Sequence, residues 1–309
     1  MKKEISEFRS KDGFLYSSVV WLPDNKPKQI IQIVHGMTEH INRYEDFARY
    51  CVNLGIGVAG FDLRGHGKSD ECNDCATFKE NEWNIILEDI HDYHLLLKQR
   101  FENTQHILLG FSLGSFLVRE YLGIYSHHFS GAIIMGTGHQ PKLILSIIIA
   151  LVQKEIKKIG YDHTNDFIRS LSFGTYNKKF APNKTNVDWL CSDNKQLNLY
   201  INDSLTKKDI SAGLFYELLS SMKRLANKNN YERWSPTMPI LLLSGSDDPV
   251  GDNKKGVLSV EKHMINSGLK NVSCKFYNNG RHDILHEYQL GIAMQVFEDI
   301  KDWLEGIKQ

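Results

Sequence analysis

A serine between two glycines interrupts an apolar run of the sequence. The run is QHILLGFSLGSFLVREYL, residues 105–122, in which Ser112 follows a strand-like segment and precedes one with helical spacing. In this Gly-x-Ser-x-Gly context the serine takes a strained turn, and the small residues two before and two after it keep strand and helix from colliding. Its hydroxyl is then exposed at the edge of the sheet. We therefore predict that Ser112 is a nucleophile.

Carboxylates that could support this serine follow the apolar strand PILLLSG, in the segment SDDPVGD. A serine hydroxyl is a weak nucleophile at neutral pH, so it needs a base, and the base needs an acid that holds its tautomer. Asp248 is favoured because Pro249 restrains the backbone before it. Asp247 is one residue closer to the strand and would point elsewhere, and Asp252 lies beyond the turn. We predict Asp248 as the acid.

Two histidines follow the later strand VSCKFY, where a loop at the same edge of the sheet should begin. His282 comes directly after the turn at Gly280, whereas His286 lies about one helical turn further on. We predict His282 as the base that takes the serine proton, and we expect His286 only to line the site. The resulting chain order of serine, acid and histidine is the one that such a nucleophile turn requires.

Two backbone amides are expected to stabilise the negative oxygen of an acyl-transfer transition state. One is the N–H of Leu113, the residue after the nucleophile. The other should come from the loop after an earlier parallel strand, IVHGMTEH, in which His35 and Gly36 make the turn and Met37 gives its N–H. We interpret His35 as a structural residue that ties this loop down, in preference to a second base.

These residues must be positioned by an α/β fold. Apolar runs alternate with segments of helical spacing through the first 138 residues, which is typical of βαβ units and a mostly parallel sheet. Strands are predicted at 29–36, 56–62, 106–111, 131–136, 239–248 and 272–280, and helices at 41–55, 83–101 and 293–307. Between 139 and 233 helical patterns occur without strands. We therefore predict an α/β core from residues 1–138 and 234–309, with a helical cap inserted at 139–233.

Charge and cysteine content limit the classes of partner and the cellular compartment that the sequence predicts. The 309 residues carry 37 basic and 37 acidic side chains, so no overall field favours nucleic acid, and no nucleic-acid partner is predicted. The start lacks the apolar stretch of a secretory signal, and five scattered cysteines fit reduced thiols, so a cytoplasmic protein is predicted. Cys72 and Cys75 form a lone CxxC, which we interpret as a surface loop. We predict no metal and no cofactor.

The segment LILSIIIALV, residues 143–152, is the most apolar run of the chain. Its length is about half of the roughly 20 residues that a helix needs to cross a bilayer, so it is not a transmembrane span. A helix packed within the predicted cap is the favoured interpretation. The lysines at 154, 157 and 158 leave two others open, namely contact with an acyl chain and peripheral contact of the cap with a membrane.

Six segments resemble the α/β-hydrolase superfamily, and within it the group of monoacylglycerol lipases and bacterial lysophospholipase-like enzymes. They are VHGMTEHINRYEDFARY, FDLRGHGKSD, GFSLGS, NVDWLCSDNKQLNLYINDSL, LLLSGSDDPVGD and GRHDILHE. The resemblance implies an eight-stranded, largely parallel sheet flanked by helices, with a cap that forms the acyl-binding surface. It maps the triad onto Ser112, Asp248 and His282, and the oxyanion donors onto Met37 and Leu113. One departure is the loop HGMT, where relatives often carry small residues.

The predicted function is that of a cofactor-independent serine hydrolase acting on a small-molecule ester with an apolar acyl chain, either a monoacylglycerol or a lysophospholipid. The same triad could cleave amides or peptides, in which case the cap must supply an acidic anchor for the amine. The candidate anchors are Asp162, Asp166, Asp188 and Glu217. A non-catalytic binding protein is less favoured, because all three triad positions are filled.

Overall fold

A computed structural model describes residues 1–70 and 75–307. Within the second range, it describes only the backbone of residues 228 and 229. The strands of this described part are β1 (Lys2–Arg9), β2 (Leu15–Leu22), β3 (Gln29–Val34), β4 (Ile56–Phe61), β5 (Cys75–Ala76), β6 (Gln105–Phe111), β7 (Gly131–Met135), β8 (Asp209–Ile210), β9 (Ile240–Gly245) and β10 (Val272–Tyr277). Eight of them form one sheet in the order β1-β2-β4-β3-β6-β7-β9-β10.

Helices cover both faces of this sheet. In the same part of the chain they are α1 (Glu45–Asn53), α2 (Glu82–Arg100), α3 (Leu113–Tyr125), α4 (Lys142–Ile159), α5 (Asp166–Ser172), α6 (Asn194–Asn202), α7 (Ala212–Leu225), α8 (Lys255–Asn266) and α9 (Ile292–Glu305). Buried side chains of α1 and α9 belong to one hydrophobic cluster, and those of α2, α3 and α8 belong to another. The sheet is therefore sandwiched between two helical layers.

The sheet is mostly parallel. Only β1 with β2, and β2 with β4, pair antiparallel, and the other neighbouring strands run parallel. Strands β3, β4, β7 and β9 are buried along their whole length, as expected for a sheet covered on both sides. The predicted fold class is confirmed. The predicted strands include neither β1 nor β2. Strand β1 lies at the edge of the sheet, buries Phe8 alone and shows no clear alternation.

The predicted cap, residues 139–233, contains helices α4 to α7. Helix α4 packs against α7, and α7 contacts α3. The segment also contains β8, which pairs in parallel with β5, and two paired residues are too few to leave a strand pattern in the sequence. The division into core and cap stays a prediction. Of the lone CxxC, Cys72 lies outside the described residues, while Cys75 is a free, half-buried thiol.

The strand order brings the predicted functional residues to one edge of the sheet. Parallel strands point the same way, so the loops at their carboxyl ends lie together. Met37 follows β3, Ser112 follows β6, Asp248 follows β9 and His282 follows β10. Four chain-distant loops therefore meet beneath the helices of residues 139–233.

Helix α2 contributes a buried histidine to the core. The ring of His94 lies 5.1 Å from that of His106, 5.4 Å from that of His128 and 4.3 Å from that of Phe129. Neither of its nitrogens has a hydrogen-bond partner among the described residues. Burial lowers the pKa of His94 to about 3. The imidazole is therefore neutral at physiological pH, and folding opposes its protonation.

We expect the free energy of unfolding to fall between pH 7 and pH 5, and His94→Leu to weaken this dependence. Unfolded histidine takes up a proton near its usual pKa of 6.5, whereas folded His94 stays neutral down to about pH 3. Between these values only the unfolded state gains the proton, so the substitution should lower the slope by up to about 1.4 kcal/mol per pH unit.

Urea unfolding at pH 7, 6 and 5 measures this slope. His127→Leu is the matched control, because His127 belongs to the same group of rings but is exposed. The same pH dependence in wild type and His94→Leu would contradict the prediction.

Candidate active site

Ser112 stands in a strained turn between β6 and α3, with φ 50° and ψ −116°. A Cβ on Gly110 would lie 2.5 Å from the carbonyl oxygen of Gly114, and a Cβ on Gly114 would lie 2.0 Å from the carbonyl oxygen of Val34. Real Cβ atoms do not approach backbone oxygens this closely. Both glycines are therefore required for the helix to start against the sheet, as the Gly-x-Ser-x-Gly pattern predicts.

The carboxylate of Asp248 is fully buried and lies against His282. Its Oδ1 is 2.9 Å from His282 Nδ1 and also accepts the backbone N–H of Val250 at 2.9 Å. Asp247 instead pairs with Lys179 at 2.8 Å, and Asp252 is exposed. Of the three candidate acids in this segment, the structure brings Asp248 alone to the histidine.

His282 has one nitrogen engaged and one without a partner. Its Nδ1 faces the Asp248 carboxylate, so we assign the ring proton to Nδ1. Nε2 is buried and has no hydrogen-bond partner in the described part of the chain. The ring lies between Phe111, at 4.9 Å, and Trp189, at 5.1 Å, which hold its orientation. His282 therefore presents a basic nitrogen, and it lines the same cavity as Ser112.

His286 belongs to a separate buried pair. Its Nδ1 lies 2.8 Å from Asp283 Oδ1, and its Nε2 lies 3.1 Å from the carbonyl oxygen of Arg43. It does not line the cavity that contains Ser112, in contrast to the expectation from the sequence. Its two nitrogens connect backbone and side chain of neighbouring loops, so its role is structural.

The loop after β3 presents the amide of Met37. His35 Nε2 accepts the N–H of Leu63 at 2.9 Å, so its proton is on Nδ1, which donates to the carbonyl oxygen of Gly36 at 2.7 Å. Burial lowers the pKa of His35 to about 3, which keeps this neutral tautomer. The Gly36 carbonyl and the Met37 N–H belong to one peptide plane, so His35 fixes the direction of that N–H. Leu113 begins helix α3, whose first N–H groups have no partner within the helix.

Beside these groups is a cavity of about 290 Å³ that Ser112 and His282 line. Most of its wall is apolar and comes from residues 139–233. Six of these side chains are Ile148, Leu171, Phe173, Phe215, Leu219 and Met222. Among the described residues, no group of three or more His, Cys, Asp or Glu side chains could hold a metal ion. The cavity therefore suits an apolar chain placed next to Ser112.

A charged cluster that the sequence analysis does not identify lines the same cavity. Arg43 binds Glu39 through Nη1 and Asp283 through Nη2, the latter at 2.8 Å. Burial would raise the pKa of Asp283, but His286 and Arg43 lower it below the usual value, so the carboxylate stays charged. The available signal was the spacing of Glu39 and Arg43, four residues apart directly after the loop of Met37.

Comparison with known proteins identifies the family of the chain. A family model described as serine aminopeptidase, S33, matches residues 25–289. The chain belongs to this hydrolase family. The hydrolase is 25% identical to human monoglyceride lipase over 98% of its own length and 90% of the relative. It is 22% identical to the probable lysophospholipase L2 of Haemophilus influenzae, over 86% of this chain and 80% of that protein.

Among solved structures, a thermostable carboxyl esterase from Bacillus coagulans superposes on the hydrolase with a TM-score of 0.90 at 25% identity, covering 99% of both chains. The predicted α/β-hydrolase fold is thereby confirmed. The predicted enzyme class, a carboxylic ester hydrolase, is confirmed by the same relatives.

Asp248→Asn should abolish most ester hydrolysis by the hydrolase, whereas Asp247→Asn should retain it. An asparagine at 248 would favour the wrong tautomer of His282, and such a change costs about 10⁴-fold in kcat where a histidine depends on its aspartate. Asp247→Asn removes only a partly exposed ion pair. The measurement is kcat on a soluble p-nitrophenyl ester, with circular dichroism to verify folding. Equal losses in the two variants would exclude Asp248 as the acid.

Proposed function

We propose that the protein hydrolyses monoacylglycerols through Ser112, His282 and Asp248. The observation that carries this proposal is the cavity beside Ser112, in which an apolar wall and a charged cluster line one space. Its volume of about 290 Å³ lies just below the range of about 300–1,000 Å³ that is usual for ligand pockets. It therefore suits one acyl chain with a small head group and not a triacylglycerol.

In the proposed reaction, Ser112 Oγ attacks the ester carbonyl while His282 Nε2 takes its proton. Asp248 holds the histidine and stabilises its charged form, and the N–H groups of Met37 and Leu113 bind the oxyanion. The tetrahedral intermediate expels glycerol, which receives the proton from His282, and leaves an acyl ester on Ser112. A water molecule that His282 deprotonates then attacks this ester and releases the fatty acid.

Charge at the cavity favours a neutral head group over a phosphodiester. Arg43 is the only cationic side chain among the described lining residues, and it is bound by both Glu39 and Asp283. A phosphate would meet two carboxylates and no unengaged cation, while glycerol hydroxyls could donate to those carboxylates. The solved esterase of Bacillus coagulans is a complex with glycerol, which supports this choice.

We expect kcat/KM for oleoylglycerol to exceed that for oleoyl lysophosphatidylglycerol by at least about tenfold, a difference of about 1.4 kcal/mol. The two substrates share the oleoylglycerol unit and differ in the anionic phosphoglycerol group. Fatty-acid release from mixed micelles measures both, and Ser112→Ala should reduce both to the background rate. Faster cleavage of the lysophospholipid would contradict the proposed head group.

Amide or peptide hydrolysis is the weaker alternative, although the family model bears the name of a serine aminopeptidase. None of the four candidate acidic anchors lines the cavity. They are Asp162, Asp166, Asp188 and Glu217. The carboxylates that do line it, Glu39 and Asp283, are already paired with Arg43. A positively charged amine therefore has no unpaired carboxylate to bind among the described lining residues.

Helix α4 carries an apolar face that we assign to contact with a lipid surface. Of its side chains only Leu145 and Val152 are buried, while Leu143 is 73% and Ile147 is 56% exposed. Ile148 of the same helix lines the cavity. Among the described residues, none of the helices has both the length and the apolar character needed to cross a bilayer. The exposed face therefore fits peripheral contact with a lipid surface beside the cavity.

The double variant Leu143→Ser/Ile147→Ser should bind phospholipid vesicles at least about tenfold more weakly, because two large apolar side chains no longer enter the lipid. Its hydrolysis of a soluble short-chain ester should be unchanged. The matched control is Leu258→Ser/Ile265→Ser on α8, which removes two exposed apolar side chains from another helix. Cosedimentation measures binding, and equal affinity in both double variants would exclude α4 as the contact face.

A further inference from the structure

Thr38, the residue after the proposed oxyanion donor, has an unusual backbone conformation. Its φ is 62°, in the left-handed region, and its side chain is buried. A β-branched residue is strained there, because its Cβ substituents crowd the backbone, and such a conformation persists only where the surroundings hold it. Contacts with the surrounding residues must therefore hold Thr38 in this conformation.

Two contacts from residues 139–233 hold Thr38. Its Oγ1 lies 2.7 Å from the hydroxyl of Tyr200 on α6, and its carbonyl oxygen accepts the N–H of Lys207 at 3.0 Å. The Thr38 hydroxyl also donates to the carbonyl oxygen of Met37 at 2.6 Å. Threonine has one hydroxyl proton, so Tyr200 must be the donor to Oγ1. Burial raises the pKa of Tyr200 to about 12, so the phenol keeps the proton that it donates.

These bonds belong to a series of hydrogen bonds that fixes the loop of residues 35–39. On the core side, Glu39 accepts the N–H of Gly36 at 2.6 Å and His35 donates to the Gly36 carbonyl. On the other side, Thr38 binds the Met37 carbonyl and depends on Tyr200. The Met37 N–H makes no hydrogen bond to the described residues. The two peptide planes flanking Met37 are therefore fixed from opposite sides, and its N–H is left for a ligand.

We propose that Tyr200 is a positioning residue for the oxyanion donor. Its hydroxyl holds Thr38 in the strained conformation, and Thr38 in turn keeps the peptide that follows Met37 in place, so that the Met37 N–H stays aimed at the substrate oxygen. The inference rests on the proposed hydrolase function. The oxyanion site is then complete only when helix α6 lies against the loop of Met37.

The substitution Thr38→Gly distinguishes the positioning role of Tyr200 from its other possible effects. The Tyr200 ring lines the cavity and lies 4.8 Å from the Arg43 guanidinium, so loss of its hydroxyl could also act on the substrate or on Arg43. Tyr200→Phe keeps the ring and removes only the hydroxyl. Because glycine adopts positive φ without strain, a loop with Thr38→Gly needs no hydroxyl to hold it. The positioning role predicts that the two substitutions are strongly non-additive.

The experiment is a double-mutant cycle on a soluble p-nitrophenyl butyrate. In the wild-type background Tyr200→Phe should lower kcat by about tenfold or more, up to the range of 10²–10³ seen when one oxyanion donor is lost, with little change in KM. Thr38→Val, which keeps the branched side chain but lacks the hydroxyl, should lower kcat similarly. In the Thr38→Gly background Tyr200→Phe should cost less than about twofold.

Equal loss from Tyr200→Phe in both backgrounds would overturn the inference, since the hydroxyl would then act on the substrate. Wild-type activity of Tyr200→Phe would overturn it as well. The rate at which a fluorophosphonate labels Ser112 compares the same variants without a natural substrate. An unlabelled wild type would instead reject the proposed hydrolase function, so the two failures are distinguishable. Thermal unfolding of each variant verifies that it is folded.

Discussion

The close approach of helix α3 to the end of strand β3 is the constraint on which the site depends. The backbone of Gly114 passes so near the carbonyl oxygen of Val34 that no side chain fits between them. Val34 leads directly into the loop of Met37, and Gly114 follows Leu113. The two amides proposed to bind the oxyanion therefore flank a single backbone contact. Main-chain packing in the buried core sets their spacing, while the side chains of His35, Thr38 and Tyr200 act on the direction of the Met37 N–H.

Histidines near the site differ in how their nitrogens are satisfied. His35 and His286 each engage both nitrogens with backbone or carboxylate partners, so they hold loops in place. His282 engages Nδ1 alone, and its Nε2 has no partner among the described residues. A buried polar atom without a partner is costly in a purely structural residue. It is expected where a substrate or a nucleophile completes the hydrogen bond, and this free nitrogen facing the cavity of Ser112 distinguishes His282 from His35 and His286.

Sequence patterns were informative where the determinants are local. The elbow at Ser112 and the fully buried strands β3, β4 and β9 depend on short runs of residues, and these were predicted. The cluster around Arg43 was not predicted, because its partner Asp283 is 240 residues away and the pairing exists only after the strands align. Strand β8 was missed because its two residues are held by a distant partner. The strain at Thr38 likewise could not be predicted, because it depends on a backbone angle that the sequence does not specify.

Strands β7 and β9 are neighbours in the sheet, although residues 139–233 separate them in the chain. A segment that leaves and re-enters at adjacent strands can be lengthened, shortened or exchanged without altering the order of the sheet. Under the proposed function, transplanting this segment between homologous enzymes should change the acyl-chain preference, because it supplies much of the cavity wall. The contact between Tyr200 and Thr38 sets one condition on such chimaeras: a donor segment must supply an equivalent hydroxyl, or the recipient loop must carry glycine at position 38.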